Sequence, residues 1–238
     1  MATRKTVLIF GATGAIGRSL ADWFLSHNWR VLGVKRTQTS EGNNTASTME
    51  WVVWNPQSNN STPAEISSPV DAIVWAQGSN YIDNIYTFDS LRHTEIYYAN
   101  VLYILETLSA LLKGDLLADP CRLVAISSIW QEIARQDKLS YMVTKSALRG
   151  LIQSLAVDLG KNGHLVNAVL PGALDTPMTR TNLSEKQIRS LEGSTPLGCL
   201  ATLEDVCNLT GFLCSSDNTG ITGQFIIADR GFSYAKII

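Results

Sequence analysis

Val7-Leu-Ile-Phe10 followed at once by Gly11-Ala12-Thr13-Gly14-Ala15-Ile16-Gly17-Arg18 is the stretch that decides the fold of this chain. An apolar run without alternation reads as a strand buried on both faces, the habit of parallel sheets. It stops at a glycine, two more glycines follow at intervals of three, and over Ala15–Asn28 the apolar pattern takes up a helical period. A strand that turns sharply on glycines into a helix brings backbone N–H groups and the positive helix end to one place, which suits the pyrophosphate of a dinucleotide. On this reading Gly11, Thr13, Gly14, Ala15, Ile16 and Gly17 form a phosphate cradle. A glycine turn that only packs strand against helix is the competing reading, and it stays open at this point.

Further short runs rich in Val, Ile and Leu recur at Val31–Val34, Trp51–Trp54, Ala72–Ala76, Leu123–Ile126, Leu165–Val169 and Phe225–Ala228. Helical patterns separate several of them, at Phe88–Lys113, Tyr141–Gly160 and Leu203–Ser215, the last with Thr202 placed to cap it. Strand and helix in alternation predict an α/β fold: a Rossmann-like, doubly wound parallel sheet of about seven strands with helices on both faces. Thr37–Thr48 and Gln57–Pro69, rich in Ser, Thr, Asn, Gln and Pro, read as surface loops. With 238 residues, 45% of them hydrophobic, and no internal repeat, the chain is expected to form one domain over 1–238.

The 19 Lys and Arg against 21 Asp and Glu give a formal charge of −2, which offers no basic excess for phosphates in a row or for an anionic bilayer. No nucleic-acid or membrane partner is expected, and the apolar run after Lys5 is too brief for a signal-peptide core, so a cytoplasmic location is expected. Cys121, Cys199, Cys207 and Cys214 have no metal-binding spacing, and His27, His93 and His164 stand alone, so neither a metal site nor a disulfide framework is predicted.

An NAD site usually ends its second strand with an acidic residue for the ribose 2′-hydroxyl, whereas this chain has Lys35-Arg36 there. Two adjacent cations favour a 2′-phosphate, and therefore NADP(H) over NAD(H). Farther on, Ser127-Ser128 precedes Tyr141-Met-Val-Thr-Lys145, the tyrosine and lysine four apart on one helical face. A nearby ammonium stabilises a phenolate, so Lys145 is expected to lower the pKa of Tyr141 and let it act as general acid or base.

Tyr-x-x-x-Lys with a serine thirteen residues before the tyrosine resembles the active site of the short-chain dehydrogenase/reductase family, in its compact branch. Ala76-Gln77-Gly78 resembles that family's Asn-Ala-Gly turn, Asn100 its helical asparagine, Pro171-Gly172 to Thr176 its segment beside the nicotinamide, and Thr222–Asp229 its last strand. The resemblance implies a hydride transfer between NADP(H) and a small polar carbonyl or alcohol. Tyr141 would exchange the proton, Ser128 would bond the reacting oxygen, Lys145 would hold ribose, and Asn100 would anchor a relay water. It also implies a substrate-binding segment at 173–200, including Met178, Arg180 and a helix over Ser184–Leu191, and a homodimer or homotetramer built through the two long helices and the last strand.

The chain departs from that pattern in places. Phe10 stands where the compact branch has threonine and Ala15 where it has a glycine, so the loop resembles the larger nucleotide-sugar branch. Gln77 and Arg230 replace an asparagine and a glycine. Asn55 occupies the place of an adenine-contacting Asp, and a simple turn before Pro56 is the equal alternative. A nucleotide-sugar epimerase or dehydratase holding NAD and a noncatalytic NADP-binding regulator are the competing functions. A hydrolase has little to build on without a G-x-S-x-G elbow.

Overall fold

The computed structural model describes residues 4–37, 49–58 and 61–235, and of the loop expected at Thr37–Thr48 all but Thr37 lies outside them. Seven strands form one sheet: β1 Thr6–Phe10, β2 Arg30–Lys35, β3 Glu50–Val53, β4 Val70–Trp75, β5 Leu117–Ile126, β6 Leu165–Pro171 and β7 Phe225–Ala228. Their order is β3-β2-β1-β4-β5-β6-β7, and every pair is parallel. The chain winds outward from β1 in one direction and then, from β4, in the other. Between β1 and β4 the crossovers diverge and leave a crevice at the carboxyl ends of the strands. Register fixes what meets there: Phe10 lies opposite Val34 on one side and Trp75 on the other, so Gly11, Lys35 and Ala76 leave the sheet side by side.

Alternation along β1 feeds two cores. Leu8 and Phe10 join Trp54, Trp75, Leu108 and Ile152 on one face, while Val7 and Ile9 join Leu20, Phe24 and Val206 on the other. The first face is covered by α2 (Ser90–Tyr97), α3 (Tyr103–Lys113) and α4 (Leu139–Gly160), the second by α1 (Ala15–Ser26) and α7 (Leu203–Cys214). Phe10 is the hub of an aromatic cluster: it stacks on Trp75 at 5.9 Å, tilts against Trp54 at 5.6 Å and meets Tyr103 edge-on at 5.7 Å. This accounts for an aromatic residue where the family has threonine, and truncating it would cost about 3–5 kcal/mol. Across the sheet α1 and α7 lie close because Gly211 has no Cβ; one there would sit 2.1 Å from the Trp23 ring.

The long helix expected over Phe88–Lys113 begins instead at Ser90, where the Asp89 carboxylate accepts from the N–H groups of Leu91 and Arg92, and is interrupted by a π turn at Tyr98–Leu102. β5 extends six residues upstream of the predicted run, through Asp119-Pro120, because proline is tolerated in the stretch that pairs weakly with β4 around a register shift. Between β3 and β4 the described residues hold turns and no helix, in line with the loop read at Gln57–Pro69. The helix at Ser184–Leu191 is α6 (Glu185–Gly193), capped by Ser184, and is preceded by a short α5 (Pro177–Asn182) that the sequence did not announce. Thr202 caps α7 as expected, in a reciprocal box with Asp205. No helix among the described residues is long and apolar enough to cross a membrane.

Candidate active site

The glycine turn combines two needs. Gly11 has φ +74°, and a Cβ there would lie 2.6 Å from the backbone nitrogen of Gln77; one on Gly17 would lie 2.2 Å from the Gly11 carbonyl oxygen. These two glycines serve packing between β1, α1 and the end of β4. Gly14 has only the Gly11 oxygen nearby, at 3.5 Å, and faces open space. It is the N-cap of α1, without a side-chain cap and with no acidic residue in the first turn. The first N–H groups of the helix, at Ala15, Ile16 and Gly17, therefore lack an intrahelical acceptor, and their positive end stays uncompensated.

In front of this turn lies a cavity of about 540 Å³. Gly11, Thr13, Gly14, Lys35, Arg36, Ala76, Gln77 and Gly78 line it, as the sequence reading grouped them. Val34, Gln57, Ser79, Glu95, Tyr98, Ala99 and Tyr103 line it too and were not foreseen, although Tyr98 and Ala99 lie in the very segment that carries Asn100. Asn55 is not in the wall: its Oδ1 accepts from the Gln57 N–H at 3.3 Å and ties the turn that presents Gln57. Lys35 holds its ammonium 5.1 Å above the Trp51 ring, and Arg36 makes no ion pair among the described residues. Burial pushes the Tyr103 phenol up to about 12, and burial together with a hydrogen bond to Glu106 raises that of Tyr98; the Arg36 guanidinium opposes both.

A dinucleotide fits these residues. Both polar atoms of the Gln77 amide are buried without a hydrogen-bond partner, in the wall of the cavity. Orphaned polar groups are destabilising by about 1–3 kcal/mol each unless a ligand completes them. An uncapped helix end, two cations beside it and an unsatisfied amide form a donor set suited to phosphates and ribose hydroxyls.

Tyr141 and Lys145 follow on the first turns of α4, beside the end of β5 where Ser128 sits. The Ser128 hydroxyl accepts from the Trp130 N–H at 3.3 Å, which leaves its own proton to donate, whereas Ser127 donates to Gln131 Oε1 at 2.8 Å. Lys145 is 4% exposed; its ammonium donates to the Ile126 carbonyl at 3.0 Å and lies 5.8 Å from the Tyr141 ring centre. Gly78 brings the cavity to it, since a Cβ there would stand 3.6 Å from Lys145 Nζ and 3.0 Å from Asn100 Oδ1. Asn100, buried in the π turn, accepts from the Ser79 N–H at 2.8 Å and donates to the Ser79 carbonyl at 3.0 Å and to Thr144 Oγ1 at 2.8 Å. Thr144 in turn donates to the Tyr141 carbonyl at 2.9 Å. Ser128, Tyr141, Lys145 and Asn100 thus gather behind Gly78, next to the crevice, and none of the four is in the cavity wall.

One expectation is corrected. Burial holds the Tyr141 phenol above its ordinary value, and the Ser128 hydroxyl only partly offsets this. Lys145 is not among the groups that lower it; burial brings the amine itself down to about 8, which leaves it largely protonated at neutral pH.

Pro171, Gly172 and Thr176 lie outside the cavity wall. Gly172 donates to the Ala228 carbonyl at 3.1 Å and permits the close passage of Asp229, while Thr176 caps α5 by accepting from the Thr179 N–H at 3.2 Å. Arg230, where the family has glycine, does adopt φ +57° and is held there by a fork onto Asp205 at 2.8 and 3.3 Å and a bond to Cys199 Sγ at 2.7 Å. Arg180 turns its fork onto Asp175, at 2.6 and 2.7 Å, and the side chain of Met178 lies outside the described residues. Among the described residues no group of His, Cys, Asp and Glu could hold a metal ion, and the four cysteines are free.

Sheet order, glycine turn and the Tyr-Lys pair define a nucleotide-binding α/β oxidoreductase. A family model described as enoyl-(acyl carrier protein) reductase, within the short-chain dehydrogenases, matches residues 11–233, and the chain belongs to the short-chain dehydrogenase/reductase family. It is 27% identical over 239 residues to the uncharacterized oxidoreductase YmfI of Bacillus subtilis (strain 168), covering 96% of this chain and 98% of that one. It is 40% identical over 111 residues, 46% of this chain and 44% of the relative, to an L-rhamnose 1-dehydrogenase (NADP(+)) of Thermoplasma acidophilum. Aldohexose dehydrogenase of Thermoplasma acidophilum shares the fold with a TM-score of 0.85 at 22% identity over 99% of this chain and 96% of that chain. ElxO with NADP bound does so with a TM-score of 0.84 at 22% identity over 97% and 99%.

Proposed function

We propose that this protein is an NADP(H)-dependent carbonyl reductase or alcohol dehydrogenase for a small polar metabolite, with Tyr141 as its general acid and base. The observation that carries the reading is the gathering of Ser128, Tyr141, Lys145 and Asn100 behind Gly78, which lines the same crevice as Lys35 and Arg36. The first turn of α1, from Gly14 to Gly17, would take the pyrophosphate, Lys35 and Arg36 the 2′-phosphate, Gln77 and Lys145 the ribose hydroxyls, and Pro171 to Thr176 the region of the nicotinamide. Bound NADPH supplies the hydride.

The chain's own residues handle the oxygen. In reduction a carbonyl oxygen gains negative charge, and two hydroxyl donors set in advance, Ser128 and Tyr141, meet it. A phenol held above its ordinary pKa is fully protonated at neutral pH and suits a proton donor. Lys145, Thr144 and Asn100 keep the helix turn that bears it in register with the cofactor wall at Gly78 and Ser79. Sugars and 3-oxoacyl thioesters are the first candidate substrates, supported by relatives named as an L-rhamnose dehydrogenase and, in Escherichia coli, a 3-oxoacyl-[acyl-carrier-protein] reductase.

The test follows nicotinamide absorbance with aldohexoses and a 3-oxoacyl thioester, with NADPH and NADH in parallel. Turnover with NADPH that falls about 10²–10⁴-fold in Tyr141→Phe is expected; a preference for NADH, or an active Tyr141→Phe variant, overturns the reading. We read 1–238 as one dinucleotide-binding and catalytic domain with its substrate segment at 173–200, located in the cytoplasm and without nucleic-acid or membrane partners. Exposed Leu102, Leu105 and Leu112 on the α2–α3 side and Val143 and Val157 on α4 support a homodimer or homotetramer, which a mass measurement in solution checks.

A further inference from the structure

The helix that bears Tyr141 and Lys145 starts without a cap of its own. Its N-cap is Lys138, which makes no capping bond, and its first turn contains no acidic residue. The first N–H groups of a helix need acceptors, above all where the helix end is buried. The acceptor comes from 57 residues earlier: Asp83 Oδ1 receives the Ser140 N–H at 3.0 Å, and Asp83 Oδ2 receives the Ser140 hydroxyl in a short bond. Both residues are sealed from water, Asp83 at 2% and Ser140 at 0% exposure. A serine hydroxyl has one proton, and this one goes to Asp83. The 3.0 Å contact between Ser140 Oγ and His93 Nδ1 therefore requires the imidazole to donate, which places a proton on Nδ1. Although these are the residue types of a hydrolytic triad, their order is wrong, for the serine lies between acid and base and is out of reach of any substrate.

Backbone and side chains reinforce the link. The Asp83 N–H donates to the Asp137 carbonyl at 3.3 Å, the Leu139 N–H to the Asp83 carbonyl at 3.2 Å, and Lys138 Nζ to Asn80 Oδ1 at 2.9 Å. The stretch 80–84 thus grips 137–140. It is the direct continuation of Gly78 and Ser79, which line the cofactor cavity and the second of which is bound to Asn100. We infer that Asp83 is a positioning residue for Tyr141: its buried carboxylate caps the first turn of α4 in trans and thereby fixes the phenol relative to the nucleotide wall. The inference rests on the reading of Tyr141 as the proton-transfer group.

Two measurements on the intact protein test it without a known substrate. The ultraviolet difference between each protein and its Tyr141→Phe counterpart isolates the titration of that one phenol. Amide hydrogen exchange follows the first turn of α4. In Asp83→Ala, entry of water relieves the burial that raises the phenol, so its midpoint is expected to fall by about one pH unit and exchange over 139–145 to quicken about tenfold or more, with 150–160 unchanged. Asp83→Asn, which keeps an acceptor for the Ser140 N–H, should restore most of the exchange protection. A folded Asp83→Ala protein whose phenol midpoint and exchange match the unsubstituted chain overturns the inference. Should that variant fail to fold, exchange over 139–145 that matches the unsubstituted chain in both Asp83→Asn and Ser140→Ala, each of which weakens the Asp83–Ser140 link, overturns it equally. An active Tyr141→Phe enzyme would sink the proposed function instead, leaving the capping result as it stands.

Discussion

The two ends of the crevice are built on opposite plans. At the β1–β2 end polar groups are left open: the first N–H groups of α1 have no cap, the Gln77 amide has no partner, and Arg36 has no counter-ion among the described residues. At the β5–α4 end polar groups are already engaged: Asn100 makes three bonds, Lys145 holds the Ile126 carbonyl, and Asp83 holds Ser140. The first end gains its stability when a ligand arrives, while the second is rigid before anything binds. Catalytic groups need fixed geometry more than they need spare bonds, and binding groups need the reverse.

The contrast can be broken by substitutions at either end. Lys145→Met should reduce turnover about 10²-fold or more while leaving the fold intact, and its pH dependence of stability is diagnostic. The lysine titrates near 10.5 unfolded and at about 8 folded, so between those values the unfolded chain binds more protons and stability rises with pH. Denaturant midpoints from pH 7 to 11 should show that rise in the parent protein and not in Lys145→Met. Gly11→Ala should weaken NADPH binding about 10²-fold and lower stability by about 2–4 kcal/mol, because φ +74° and the 2.6 Å approach to Gln77 both exclude a methyl group. Calorimetric titration with NADPH and thermal melting report the two effects separately. Arg36→Ala should cost about 10- to 100-fold in NADPH affinity and leave NADH within about twofold, since a guanidinium on phosphate contributes about 1.5–3 kcal/mol. The smallest effect sharpens the comparison most: Gln77→Met should weaken NADPH severalfold yet raise the ligand-free melting temperature, by removing two buried orphans. A drop in that melting temperature would mean that the amide is satisfied at rest.

Much of the fold was legible because buried parallel strands announce themselves as apolar runs: β7 coincides with its run, and five others differ from their observed bounds by one or two residues at an end. The exception, β5, begins at Leu117 because Asp119-Pro120 looks like a break and is instead tolerated where pairing is weak. Local motifs also read well, since the turn at Gly11 to Gly17 and the spacing from Tyr141 to Lys145 depend on adjacent residues. What could not be read depends on distant ones. The cap that Asp83 provides spans 57 residues, the isolation of Gln77 is a property of its surroundings, and the rise in the Tyr141 pKa comes from burial that no motif encodes. Lys145 misled for the same reason: four residues along a helix suggest a charge pair, but burial, which raises the phenol and lowers the amine, outweighs it.

The π turn at Tyr98–Leu102 has a consequence for how this region can evolve. Such a turn holds one residue more than an α-helical turn, and each residue swings a helix by about 100°. Deleting a single codon there would relax the turn to ordinary helix and rotate everything on one side of it, swinging Asn100 away from Ser79 and Thr144. The rod from Ser90 to Lys113 is therefore intolerant of length change at its middle, even though its two ends are exposed and free to drift.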